Sequence, residues 1–235
     1  MAHTRTYYCI FMFFLFFIYF VPTFGDTDGQ VLLRFRSFLS NANALNNWVD
    51  ESNLCNWAGL LCINNIFYGL RLENMGLGGK IDVDTLLRLP NLVSFSVNNN
   101  TFKGPMPEFK KVVSLRALFL SNNKFSGKIL DDSFEGMENL KSVFLEKNNF
   151  MGHIPVSLAK LPKLWIWTLF NLSNNQLEGP IPIRLSNEPS TSFSANKNLC
   201  GKPLSNPCNM SPTKSIVPPN LAPSTQEKGK NHKNG

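Results

Sequence analysis

Histidine is scarce. His3, His153 and His232 are the only three in 235 residues. With the first and last in terminal segments, no histidine-based triad or multi-histidine metal site can be assembled in the body. Charge is sparse too, at 17% of residues, and its excess is thinly spread. Of the formal net +7, Arg5 contributes one near the N-terminus, and Lys214, Lys228, Lys230 and Lys233 against Glu227 put three more in the tail. The body is mildly basic, which argues against nucleic acid as a partner. Beyond the N-terminus there is no long apolar run, so neither a membrane span nor a lipid-anchor signal is expected after residue 25. Gly78-Gly79-Lys80-Ile81 lacks the glycine spacing and the hydroxyl residue of a phosphate loop, and the neighbouring Asp82 and Asp84 read as a surface loop rather than an acid/base pair. No catalytic residue, metal site or cofactor is expected.

What the chain has is a repeating line. Its cleanest copy is Leu115-x-x-Leu118-x-Leu120-x-x-Asn123-x-Phe125-x-Gly127-x-Ile129. The same frame carries Leu92, Phe95, Val97, Asn100, Phe102, Gly104 and Met106, then Leu140, Val143, Leu145, Asn148, Phe150, Gly152 and Ile154. A later copy is Trp167, Phe170, Leu172, Asn175, Leu177, Gly179 and Ile181, and an imperfect first copy is Phe67, Leu70, Leu72, Met75, Leu77, Gly79 and Ile81. The aligned Leu77, Phe102, Phe125, Phe150 and Leu177 stand 25, 23, 25 and 27 residues apart. This is a leucine-rich-repeat signature. It predicts an α/β solenoid of about five repeats, in which each L-x-L is a short strand with its apolar residues turned inward and stacked strands form a parallel sheet. Asn100, Asn123, Asn148 and Asn175 are expected to form a ladder, since an amide has two donors and an acceptor with which to satisfy backbone groups of two adjacent coils. Met75 takes that place in the first copy, where no full coil precedes.

Five segments follow. Residues 1–25 read as a signal peptide, with Arg5 before an apolar run from Tyr7 to Val21 and a small Gly25 near the cut; an uncleaved anchor is the alternative. Residues 26–65 form an N-terminal cap that opens with an amphipathic helix over Asp28–Leu39, its Val31, Leu32, Phe35, Phe38 and Leu39 on one face and Arg34 and Arg36 on the other. Residues 66–190 hold the repeats. Three extra residues fall in Trp165-Ile166-Trp167-Thr168-Leu169, either as an aromatic bulge or as a fault of the gene sequence. Residues 191–208 form a C-terminal cap, and 209–235 a proline-, serine- and lysine-rich tail without apolar periodicity, read as disordered.

The Gly-x-Ile-Pro endings at Gly152–Pro155 and Gly179–Pro182, the Leu70-Arg71-Leu72-Glu73-Asn74-Met75-Gly76-Leu77 line and the Leu199-Cys200-Gly201-x-Pro203-Leu204 ending resemble plant leucine-rich-repeat receptor-like kinases, those of pollen in particular. The resemblance covers residues 26–208. It implies Cys55–Cys62 and Cys200–Cys208 disulfides in the two caps, which a secretory route would allow to form. A zinc site is the rival reading for the first pair, but two further ligands at suitable spacing are missing. The resemblance also implies a non-catalytic extracellular module that perceives a secreted peptide or protein ligand, with a co-receptor ectodomain as a further partner, and signals at the plasma membrane through a span and kinase-like region that this sequence does not contain. The alternative is a secreted wall protein acting as an enzyme inhibitor, pectin binder or decoy.

The expected binding surface is the concave sheet. The residue between the two L-x-L anchors points outward in every coil: Arg71, Ser96, Phe119, Phe144 and Asn171. The next outward column is Glu73, Asn98, Ser121, Glu146 and Ser173. Two adjacent phenylalanines on a solvent-facing sheet are costly to leave bare and suggest a ligand lying across the coils, with Arg71 placed to hold a carboxylate. Glycosylation sequons occur at Asn99, Asn171 and Asn209.

Overall fold

The computed structural model describes residues 25–49, 51–163 and 169–208. The proposed signal segment, the Trp165 and Trp167 bulge and the tail with Asn209 lie outside them. In chain order the elements are α1 (Asp28–Ser37), β1 (Leu39–Ser40), β2 (Leu60–Ile63), β3 (Ile66–Arg71), β4 (Gly78–Gly79), α2 (Val83–Leu86) and β5 (Ser94–Ser96). They continue as β6 (Lys103–Gly104), β7 (Ala117–Phe119), β8 (Lys124–Lys128), β9 (Ser142–Phe144), β10 (Asn149–Gly152), α3 (Val156–Lys160), β11 (Leu169–Asn171), β12 (Gln176–Pro180) and β13 (Asn198–Cys200).

One sheet of six strands runs in the order β11-β9-β7-β5-β3-β2, parallel except for the β2–β3 hairpin. A second, five-stranded parallel sheet runs β13-β12-β10-β8-β6. The repeat pattern predicts the first sheet and carries no sign of the second. The second arises where the residues after each ladder position extend towards the repeat glycine, as in Lys124–Lys128 and Gln176–Pro180. Both sheets surround one continuous core. Phe102, Phe125 and Phe150 stack through it with ring centroids 6.2 and 6.0 Å apart and planes within 4° of parallel.

The asparagines explain the register. Asn148 Oδ1 accepts from Phe125 N–H at 3.0 Å, while its Nδ2 donates to Leu120 O at 2.9 Å and Leu145 O at 3.1 Å. Asn100, Asn123 and Asn175 make the same set in their own coils. Asn196 adds a fifth rung inside the C-terminal cap, accepting from Leu177 N–H at 3.0 Å and donating to Leu172 O at 3.0 Å. Just before each rung, and before Met75 in the first coil, the chain turns through a left-handed residue: Asn74, Asn99, Asn122, Lys147, Asn174 and Ala195 have φ between 54° and 58°. Asparagine tolerates that region better than most residues, which accounts for the Asn-Asn pairs in the sequence.

The helix is shorter than its apolar pattern suggests: α1 ends at Ser37, and Phe38 and Leu39 leave it. The chain is drawn off because Leu39 and Ser40 pair antiparallel with Gly79 and Gly78, and Lys80 N–H bonds Phe38 O at 3.0 Å. Only glycine suits position 79, where φ is +87° and a Cβ would stand 2.5 Å from Phe38 O. The helix starts at a Thr27–Gln30 capping box. Its Arg36 is not simply solvent-facing, since it donates to Trp48 O and Asn46 Oδ1. Behind it Trp48 and Trp57 stack at 5.4 Å, and Trp48 Nε1 donates to Ala58 O at 2.9 Å. The Cys55–Cys62 and Cys200–Cys208 disulfides are present, one in each cap.

Asp82 corrects the surface-loop reading. It is nearly covered and caps α2, its Oδ2 accepting from Thr85 N–H at 3.1 Å and Thr85 Oγ1 at 2.7 Å, its Oδ1 lying 2.6 Å from Lys80 Nζ. The short sequence turn concealed a helix start.

Two outcomes test this account. Asn148→Ala strands one N–H and two carbonyls in the core and is expected to lower the unfolding free energy by about 2–3 kcal/mol in urea titration; an unchanged midpoint would show that the ladder does not set the register. The Lys80 ammonium, then the Thr85 hydroxyl, hold the Asp82 carboxyl below the ordinary carboxylate range. A depressed folded-state value means that its stabilisation is full above the unfolded value and fades as the carboxylate takes up a proton on acidification. Wild type is therefore expected to exceed Asp82→Asn in stability at pH 6 and to lose that margin below about pH 4. An equal margin at pH 3 in acid-unfolding curves would contradict the assignment.

Candidate binding face

The parallel register sets Arg71 beside Ser96, Ser96 beside Phe119, Phe119 beside Phe144, and Phe144 beside Asn171. The inward neighbours Leu70, Phe95, Leu118, Val143 and Phe170 are buried, so alternation turns this column outward. Strands pack more closely than helical segments, which makes this the concave side of the coil.

The column is not uniformly open. Arg71 is exposed, whereas Phe119, Phe144 and Asn171 are half-buried. Ser96 departs from expectation, being 3% exposed. Its small side chain lies between two larger neighbours, and its Oγ donates to Glu73 Oε1. The two phenylalanine rings lie 5.3 Å apart at 31°, forming a tilted plate that partly covers itself. Neither ring stands bare, although an apolar surface remains.

The downstream column lies against hydroxyls and amides. Ser121 Oγ donates to Glu146 Oε2 at 2.6 Å, Ser121 N–H donates to Asn98 Oδ1 at 2.8 Å, and Asn171 Oδ1 accepts from Ser173 N–H at 2.9 Å. Glu73 and Glu146 are thereby steered while remaining half-exposed. Upstream of the plate stand two exposed cations that sequence reading overlooked, Arg116 and Lys141. Each follows the first leucine of its repeat and precedes β7 or β9, so their equivalence was visible in the aligned lines. The face thus presents cations before an aromatic plate and held carboxylates after it. The described residues offer no cluster of three histidine, cysteine or carboxylate side chains able to hold a metal ion. His153 is exposed, on the segment that follows β10 of the second sheet, with its ring over Gly179.

Of the sequons, Asn99 is exposed in the left-handed turn and accepts from Asn122 Nδ2, whereas Asn171 belongs to the column itself. A sugar on Asn171 would obstruct the C-terminal part of the face.

These features define a short plant-type leucine-rich-repeat ectodomain. Residues 26–63 match the leucine-rich-repeat N-terminal domain model and residues 114–137 the leucine-rich-repeat model. The chain is 40% identical to pollen receptor-like kinase 2 of Arabidopsis thaliana over 85% of its own length and 34% of that protein's. The crystal structure of a pollen receptor kinase 3 superposes with a TM-score of 0.64 at 34% identity, covering 76% of this chain and 99% of that one. The Arabidopsis receptor kinase HAESA, solved in complex with the peptide hormone IDA and the co-receptor SERK1, gives a TM-score of 0.61 at 28% identity, over 76% of this chain and 30% of that one. The chain belongs to the plant leucine-rich-repeat receptor-like kinase family. It spans about a third of the length of the curated pollen receptor-like kinases it matches.

The aromatic plate can be measured directly. A Phe119→Ala and Phe144→Ala double-mutant cycle is expected to give a coupling of about 0.5–1 kcal/mol in unfolding free energy. Strict additivity would mean that the rings do not support one another.

Proposed function

We propose that this chain is the ligand-capturing part of a receptor, holding a secreted peptide or protein across the coils at Phe119 and Phe144 and performing no chemistry on it. One observation carries the reading: an apolar aromatic pair sits in register on the outward face of the parallel sheet, with Arg71 exposed in the same column and Glu146 alongside. Burying such a pair favours binding, and the flanking charges confer orientation. HAESA, a more distant relative, is seen with a peptide hormone and a co-receptor, which supports the same class of ligand and a second ectodomain for this chain. The small face also favours a shared ligand, because two weak contacts made together exceed either alone. The route is secretory, with the wall space or the plasma membrane as destination. No helix among the described residues is long and apolar enough to cross a membrane.

The test is a calorimetric screen of synthetic secreted plant peptides, followed by the Phe119→Ser/Phe144→Ser double variant against any peptide bound. The variant is expected to bind about thirtyfold more weakly, as for loss of a hot spot, while its circular dichroism remains that of the wild type. Undiminished affinity would remove the concave face from the mechanism.

A further inference from the structure

The second sheet carries a different surface, whose outward residues change character along the solenoid. On β6 and β8 the exposed side chains are Lys103, Lys124 and Lys128; on β10 and β12 they are Asn149, Met151, Gln176 and Glu178. Lys103 and Lys124 are direct register partners on neighbouring strands. Lys124 and Lys128 are both exposed on the one strand. The Lys128 stem lies along Gly152, where an added Cβ would come 3.1 Å from Lys128 Cγ, so its course over the sheet is set by the fold. Lys80, 70% exposed, stands one coil earlier, beside Asp82.

Like charges in direct register repel. Among the described residues no carboxylate forms an ion pair with Lys103, Lys124 or Lys128. Glu108 and Asp132, which line the adjoining clefts, are engaged by Lys111 and Lys110. Beside the lysines a cleft of about 380 Å³ opens between coils, lined by Lys80, Lys103, Pro105, Met106 and Pro107. The surface therefore joins uncompensated ammonium groups to a shallow apolar cleft.

We infer that the Lys103–Lys124–Lys128 face binds a linear polyuronate, the de-esterified acidic polysaccharide of the plant wall. In a polyuronate the carboxylates recur along a stiff chain, where Lys103 and Lys124 on neighbouring strands and Lys128 further along offer several ammonium groups, and the pyranose rings have apolar faces suited to proline and methionine. Lysine supplies point charges for separate carboxylates; a phosphate site would favour the bidentate fork of arginine. This surface is distinct from the aromatic plate and does not depend on it.

The chain of residues 26–235 should be tested by biolayer interferometry against immobilised polygalacturonate, methyl-esterified pectin and phosphatidylserine vesicles. Binding to polygalacturonate is expected to weaken with salt and to fall about tenfold in Lys103→Gln/Lys124→Gln/Lys128→Gln, as for the loss of three exposed charge contacts. It should persist in Lys160→Gln/Lys163→Gln, in Lys228→Gln/Lys230→Gln/Lys233→Gln, and in the Phe119→Ser/Phe144→Ser variant. Undiminished binding by the first variant, or an equal loss in any of the others, would overturn the assignment. So would equal affinity for the methyl ester, and lysine-dependent binding to vesicles alone would assign the face to an anionic lipid surface instead.

Discussion

Each ladder asparagine satisfies three backbone groups at once, and the positions of both sheets follow from that. A three-residue strand such as β7 or β9 is too short to hold its register alone. Asn123 and Asn148 hold it by accepting from an N–H of the preceding coil and donating to carbonyls of that coil and their own. A slip of one residue would leave these groups unpaired inside a dry core, where an unsatisfied amide is most costly. The strand before each asparagine and the left-handed turn beside it are thus constrained by one side chain. The stacked Phe102, Phe125 and Phe150 fill the space behind it with apolar contact that is indifferent to polarity but sensitive to coil spacing.

A ladder of this kind is open at both ends, and the caps supply what the next coil would have provided. At the N-terminal end the β2–β3 hairpin turns through Asn64 and Asn65, both left-handed, and lays an antiparallel strand on the sheet edge. Helix α1 covers the core there, with the Phe35 ring edge-on to Phe95 at 6.3 Å. Met75 can occupy the first ladder position because Asn100 reaches back to it, accepting from Met75 N–H at 3.2 Å. At the C-terminal end Asn196 repeats the rung without a following coil, Phe193 meets Phe170 at 5.3 Å, and the chain is tied off by Cys200–Cys208.

The repeat fold was legible because its inward positions follow a strict period, and Leu, Phe and Asn at those places have few alternative explanations. What escaped the sequence were features set by a second segment of chain. Phe38 and Leu39 continue the apolar pattern of α1, yet the pairing of β1 with β4 takes them out of the helix. Asp82 reads as a turn residue until Lys80 and Thr85 are seen to enclose it. Ser96 occupies an outward position by alternation and is nonetheless buried, because exposure depends on the size of its neighbours and on Glu73 reaching over it. The second sheet was missed because Lys124–Lys128 and Gln176–Pro180 lack the β-branched alternation that marks a strand; they are extended by stacking against one another.

Since the inward side chains meet the demands of folding, the outward ones are released to carry function, and the same coil can bear two unlike faces. The concave side gathers carboxylates downstream of its phenylalanines. Ser96 and Ser121 hold them in place, a hydrogen bond that would be wasted on a side chain whose direction did not matter. Upstream, Arg116 and Lys141 are exposed, as is Arg71 in the plate's own column, and none of the ion pairs among the described residues includes them. The charges therefore form a gradient across the aromatic plate and not a mutually neutralised surface. A gradient of that kind does little for stability, because exposed charges contribute little when unpaired. For the ligand proposed above, it would favour one direction across the plate over the reverse.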